Sequence, residues 1–308
     1  MKFVFLSYLN RSGSTFLVNQ LSKLPALIVC PEADILYDQL LCNPNEILLP
    51  EKSAQIISKL QKDKKFSVWR MNLQNFESFS GTCFGLFQQI LLAFVMEHAP
   101  KAHIVLFKHN YLYRLFPLLE TQENILFLSL LRHPAAIYSS QTKTISPATG
   151  RVMSRNPLAL IDQWNSLLQF VLSTGKSESH VLVLYEELVE KPDETMHMLC
   201  KVLMIQEKWS DLLHKRGKVG EWLGYEYMAI HQSIDKKPIV EKIDNWKLEL
   251  GTTTKNLLAR KMSKNSFYNF PANKERHVFL ICYSLFCRFD RKFLSWKQNI
   301  KHLIQHGV

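Results

Sequence analysis

The chain opens on an apolar run, Phe3 to Leu9, made largely of residues that favour extended backbone. A polar turn follows, Asn10-Arg11-Ser12-Gly13-Ser14-Thr15, and then Phe16, Leu17, Leu21 and Leu24 recur at helical spacing. The pattern predicts a strand, a tight loop and a helix, the first half of a βαβ unit. The same alternation runs on. Further strands are predicted at Ala26 to Val29, Phe66 to Trp69, His103 to Phe107, Ile125 to Leu131 and Val181 to Tyr185. Helices are predicted near Ile35–Leu41, Ser53–Leu60, Phe84–Met96 and Leu112–Leu119, from Ala135, and over Pro157–Ser173 and Lys191–Leu203. Short apolar strands alternating with helices predict an α/β fold with a mostly parallel sheet covered on both faces. From about Lys208 the pattern loosens. Residues 214 to 255 read as a long loop region, and helices near Val278–Arg288 and Phe293–Ile304 close the chain. With no repeat and no linker, residues 1–308 are expected to form a single domain whose core covers about 1–205.

In such sheets ligands sit at the carboxyl ends of the strands. The candidate residues fall there: the loop 10–15, Glu32, Lys108, Arg132 and Tyr185. The first N–H groups of a helix lack partners inside it, and the helix dipole is positive at that end. Gly13 lets the backbone curl around an anion, Ser12, Ser14 and Thr15 add hydroxyls, and Arg11 adds a permanent charge. The loop therefore suits a phosphate-like group, against the plainer alternative of a βα turn with a Ser cap. It is not a Walker A loop, which needs G-x-x-x-x-G-K-[ST]. The chain's one GKS, Gly175-Lys176-Ser177, has Phe170 where the first glycine belongs, and it follows a helix.

A net charge of +11 and a pI near 9.3 suit an anionic ligand, and no RNP-like motif or basic tail points to nucleic acid. With 47% hydrophobic and 21% charged residues the composition is that of a soluble globular protein. The six cysteines, Cys30, Cys42, Cys83, Cys200, Cys282 and Cys287, form no C-x-x-C and no Cys/His cluster, which predicts a reduced, cytoplasmic protein without a metal. The run Phe3 to Leu9 is too short for a signal peptide and is followed by no cleavage site. No stretch approaches the ~20 apolar residues of a membrane span.

The string Arg11-Ser12-Gly13-Ser14-Thr15-Phe16, after a strand, resembles the 5′-phosphosulfate loop of sulfotransferases that use 3′-phosphoadenosine 5′-phosphosulfate. Two further blocks resemble the same family in the same order. In LLRHPAAIYSSQ, residues 130 to 141, an Arg at a strand end precedes a helix that carries serines. Arg132 and Ser140 match the pair that the family uses for the 3′-phosphate, with Ser139 a weaker candidate. VLVLYEELVEKPDETMHMLCKVL, residues 181 to 203, resembles the family's next strand-to-helix segment. Its Tyr185 lies either beside the adenine or in the core, and its carboxylates cap and orient. The resemblance covers residues 1 to 205 and implies a P-loop-NTPase-like fold with three α/β/α layers. It also implies a donor that leaves as adenosine 3′,5′-bisphosphate, and an acceptor hydroxyl (or amine or amide) on a small molecule or carbohydrate.

The family's C-terminal cofactor loop has two candidate counterparts. One is Lys215-Arg216-Gly217-Lys218-Val219-Gly220-Glu221-Trp222 and the other is Asn245-Trp246-Lys247; both stay open. Aromatics between 209 and 227 are available to line an acceptor pocket. Sulfuryl transfer builds charge on the transferred oxygens and the leaving group. Arg11, Ser14, Thr15 and the loop N–H groups suit the first, and Lys108 resembles the family's Lys at the bridging oxygen. An alcohol acceptor needs a base. His109 sits one residue from where cytosolic members carry theirs, which is Asn110 here. Glu32, 21 residues after Arg11, resembles the Glu base of tyrosylprotein, bacterial and carbohydrate members, and is the expected base. A P-loop kinase or NTPase, or a non-catalytic nucleotide- or nucleic-acid-binding protein, is the competing reading.

Overall fold

The computed structural model describes residues 1–147, 149–154, 156–175, 177–219, 239–262 and 268. Five parallel strands form its sheet: β1 Lys2–Tyr8, β2 Leu27–Val29, β3 Ile104–Lys108, β4 Ile125–Leu131 and β5 His180–Leu184. Their spatial order is β2-β3-β1-β4-β5, with Leu6 opposite Lys108 and Tyr8 opposite Leu130. Strand order reverses around the first strand, so β1 marks the crevice at the carboxyl edge where α/β sheets bind ligands.

Alternation along β1 explains why both faces are covered. Val4, Leu6 and Tyr8 pack on one face against Leu17, Val18 and Leu21 of helix α1 (Ser14–Leu21), in one cluster with Leu199 and Leu203. Phe5 points the other way. Its ring meets Phe84 at 6.3 Å and Phe87 at 6.0 Å, both on helix α2 (Cys83–His98). Each of these fully buried side chains contributes roughly 1.5–3 kcal/mol over its exposed state. The result is the expected three-layer α/β/α arrangement. Further helices are α3 Pro134–Lys143, α4 Pro157–Thr174, α5 Tyr185–Glu190, α6 Pro192–Leu203, α7 Trp246–Glu249 and α8 Thr252–Lys261, of which α6 carries Leu199 and Leu203.

The described chain gathers into two compact units built from interleaved segments. The first takes Met1–Tyr8, Gly13–Leu131 and the described part of Thr174–Pro238, and holds the whole sheet. The second takes Leu9–Ser12, Arg132–Ser173 and the described part of Ile239–Val308.

Three local expectations are corrected. Phe66–Trp69 is a 3₁₀ helix and not a strand. The three-residue period brings Phe66 and Trp69 to one side, where their rings stack at 5.1 Å and Trp69 meets Phe94 at 4.8 Å. The Asp63 carboxylate accepts the Phe66 N–H and starts the turn. Tyr185 begins a helix rather than ending a strand, and Pro192 separates that short helix from the next. Within 214–255, α7 and the start of α8 replace part of the expected loop, because Trp246, Leu257 and Leu258 are buried and packing overrides weak local propensity. The helices expected near 278–288 and 293–304 lie outside the described residues.

Candidate active site

In the first unit, β1, β2 and β3 deliver three polar side chains to the carboxyl edge of the sheet. Lys108 ends β3 and is 5% exposed, on the same face as Leu106 and Tyr8. Glu32 follows β2, and its carboxylate forms an ion pair with the Lys108 ammonium. Tyr8 ends β1; its hydroxyl donates to Glu32 Oε1 at 3.5 Å, and its ring lies 5.2 Å from Lys108 Nζ. Burying a charge is costly unless it is paired, so a Lys this deep demands the carboxylate beside it.

His109 is held differently. Its N–H backbone group donates to the Leu6 carbonyl, its ring stacks on Tyr37 at 4.1 Å, and Nδ1 accepts the Tyr111 N–H at 3.4 Å. Nε2 faces Asp34 at 3.7 Å. Burial pushes its pKa down to about 4, against the opposing pull of Asp34 and Glu32. The imidazole is therefore neutral at pH 7, with one ring nitrogen engaged by backbone and the other turned to a carboxylate. Asp34 in turn pairs with Lys65 at 2.6 Å.

From Gly13 onward the loop belongs to the first unit. Gly13, with φ +93, caps α1 in the left-handed region. A Cβ there would also lie 2.3 Å from the Tyr185 ring, so that ring packs directly on the glycine backbone, and only glycine fits. Ser14, Thr15 and Phe16 form the first turn of α1, with no side-chain cap on its N–H groups. Lower on the same helix, Gly217 packs against Asn19, whose Oδ1 would lie 2.1 Å from an added Cβ. The Lys218 N–H donates to Ser22 Oγ at 2.9 Å. The segment at 215–218 thus runs along α1, while Gly220, Glu221 and Trp222 lie outside the described residues, as do Tyr225 and Tyr227.

In the second unit, Arg11 adopts φ 73, unusual for a residue with a side chain. Its Nε donates to Ser140 Oγ at 3.1 Å, and Arg132 Nη1 donates to the Arg11 carbonyl at 3.0 Å. Gln141 Nε2 donates to the Asn10 carbonyl. Ser12 is fully buried, and its hydroxyl has no hydrogen-bond partner among the described residues. A buried hydroxyl left unmatched costs free energy, and an anion oxygen is the acceptor that chemistry would supply. Ser139 and Ser140 separate cleanly. Ser139 donates to Glu249, which also pairs with Lys143 at 2.6 Å, and these two bonds hold the Glu249 carboxyl below its ordinary range. Ser140 is the one on Arg11. Beside Arg132, His133 caps α3 and stacks on the buried Trp246 at 4.2 Å, and Trp164 Nε1 donates to the Arg132 carbonyl.

Among the described residues no group of three or more His, Cys, Asp or Glu could hold a metal ion, and no helix is long and apolar enough to cross a membrane.

The parallel sheet with helices on both faces is an α/β fold of the kind that binds ligands at the carboxyl ends of its strands. The profile of the sulfotransferase family matches residues 4–211, and the chain belongs to that family. It is similar to protein-tyrosine sulfotransferase 2 of Gallus gallus, with 24% identity over 262 residues, covering 80% of this chain and 63% of that protein. The chain thus spans under two thirds of the length of the curated relative it matches. Among solved structures it is similar to the sulfotransferase domain from the curacin biosynthetic pathway, with a TM-score of 0.53 and 19% identity over 88% of this chain and 98% of that one. The sulfotransferase domain of the Synechococcus PCC 7002 olefin synthase gives a TM-score of 0.52 and 18% identity, over 82% and 88%. At these identities the structural likeness is one of fold.

Sequence reasoning named Glu32, Lys108 and the loop, but missed Tyr8. It read Tyr8 as one more residue of an apolar strand. The available signal was position: Tyr8 ends the strand, one residue before the turn, on the face that Lys108 shares.

Proposed function

We propose that the protein transfers the sulfuryl group of 3′-phosphoadenosine 5′-phosphosulfate to an acceptor hydroxyl, with Glu32 as general base. The observation that carries the reading is the Lys108–Glu32 pair at the carboxyl ends of adjacent parallel strands. When bound, the donor supplies a sulfuryl group on a phosphate leaving group. Arg11, Ser12 and the N–H groups at Gly13–Thr15 hold the phosphosulfate. Arg132 and Ser140 hold the 3′-phosphate, where a guanidinium binds two oxygens at once. Lys108 neutralises charge on the leaving oxygen, and Glu32 takes the acceptor's proton. Tyr185, against Gly13, flanks the nucleotide, and the 215–218 segment along α1 adds Arg216, Gly217 and Lys218 to the cofactor side. Trp246, buried against His133, serves as a support for the Arg132 segment and not as the cofactor loop.

The acceptor is a small molecule or carbohydrate in this reading. One observation favours a second, a phenolic side chain on a protein: the similarity to a protein-tyrosine sulfotransferase. Calorimetry tests the donor. Adenosine 3′,5′-bisphosphate is expected to bind at least tenfold more tightly than AMP, since each charge-assisted hydrogen bond contributes about 1.5–3 kcal/mol. Equal affinity for the two would remove the 3′-phosphate site and with it the donor. Transfer of labelled sulfate onto phenols, sugars and a tyrosine peptide separates the acceptors.

A further inference from the structure

Tyr8 has more to do than fill the end of a strand. A core ring at this position would be satisfied by phenylalanine, and a buried hydroxyl needs partners to repay its lost water. Both of its partners are functional. The hydroxyl donates to Glu32, and the Ser14 side chain of the anion loop acts on the same oxygen, opposing the rise in its pKa. The Lys108 ammonium sits over the ring face, a cation–π arrangement. One residue therefore touches the base, the leaving-group lysine and the loop, all within the first unit.

We propose that Tyr8 is a positioning residue for Glu32, holding the carboxylate ionised and aimed at the anion loop through its O–H. This rests on Glu32 being the base. The physical need is specific. In the structure Glu32 pairs with the Lys108 ammonium. When Lys108 serves the leaving phosphate, Glu32 loses that partner beside an incoming anionic donor, and both changes favour its protonation. The Tyr8 donor remains and favours the charged form. Burial first, then Glu32 and Asp34, raises the Tyr8 hydroxyl well above its ordinary pKa, so it stays a donor. Among the described residues, the charged and titratable groups around Glu32 include Lys108 from β3, His109 and Asp34, the last paired with Lys65, and Tyr8 from β1.

The test is Tyr8→Phe, which keeps the ring and removes the hydroxyl. In protein carrying ¹³Cδ-labelled glutamate, the Glu32 signal is assigned by its loss in Glu32→Gln and titrated by NMR. Tyr8→Phe is expected to raise the Glu32 midpoint by about one pH unit. Turnover with 3′-phosphoadenosine 5′-phosphosulfate should fall on the order of ten- to hundredfold with the donor KM little changed, and the acid limb of kcat should move up with the midpoint. A midpoint within about 0.3 pH of wild type overturns the role. A second measurement needs no variant: in wild type, the Tyr8 ¹³Cζ signal must follow the Glu32 titration, and a Tyr8 signal that ignores it overturns the contact. The base assignment fails separately, if Glu32→Gln keeps full turnover while the Tyr8 shift is seen.

Discussion

The two units carry two clusters that handle anions in different ways. In the first, Lys108 and Glu32 offset each other's charge, with Lys108 and Tyr8 buried and Glu32 partly open to solvent. In the second, Arg11 donates to the Ser140 hydroxyl and Arg132 to the Arg11 carbonyl, so both guanidiniums are fixed by oxygens of their own unit. A balanced pair can move a proton with little change in net charge. A guanidinium stays protonated and can grip a phosphate through two oxygens at once. In the reading proposed above, chemistry falls to the first cluster and affinity to the second, and substitutions should keep the two effects apart.

The largest separation is expected from Glu32→Gln, which preserves shape and removes the base. Turnover should fall roughly 10²–10⁴-fold while bisphosphate affinity stays near wild type. His109→Ala is the control. With Nδ1 engaged by the Tyr111 N–H and a pKa of about 4, His109 is expected to cost far less. Loss of turnover in His109→Ala with Glu32→Gln intact would reverse the assignment. The opposite profile is expected of Arg132→Ala: bisphosphate affinity should drop on the order of ten- to hundredfold, as for loss of one or two charge-assisted bonds. An Arg132→Ala protein with unchanged affinity by calorimetry would dissolve the contrast between the clusters.

A smaller effect sharpens the comparison through stability. His109 and His180, both in the first unit, have pKa values lowered to about 4, in each case chiefly by burial. His180 lies between Thr174 and Ser129, bonded to each at 3.0 Å. Above the unfolded value, near 6.5, both rings are neutral in either state, and folding keeps its full strength. As pH falls, the unfolded chain takes up two protons that the folded one refuses, so stability drops. Below about 4 both states are protonated, and this loss is complete. Each ring adds up to about 1.4 kcal/mol of loss per pH unit inside that window. Urea melts between pH 7.5 and 4 should show the decline, and His180→Gln should flatten it. A decline that His180→Gln leaves untouched would mean that His180 accepts its proton in the fold.

The sequence by itself determined whatever depends on neighbours along the chain. The apolar run Phe3–Leu9, the turn with Gly13 and the helical spacing after it declared strand, loop and helix, because β and α periods are local and a left-handed φ needs glycine. Arg132 before Pro134 and Lys108 at the end of an apolar run were legible for the same reason. Tertiary structure alone decided what depends on partners far away in the chain. Phe66–Trp69 alternates like a strand, yet winds into a 3₁₀ turn because Phe94 and Phe107 wait to receive the Trp69 ring. Ser139 and Ser140 are adjacent in sequence, and only Glu249 and Arg11, more than a hundred residues away on either side, assign them different work. Tyr8 reads as one more apolar position until parallel pairing sets β3 beside β1 and brings Lys108 over its ring. Local pattern fixes which backbone each segment prefers. Which side chains then meet is decided by packing and by the need to pair every charge and hydroxyl that the fold takes out of water.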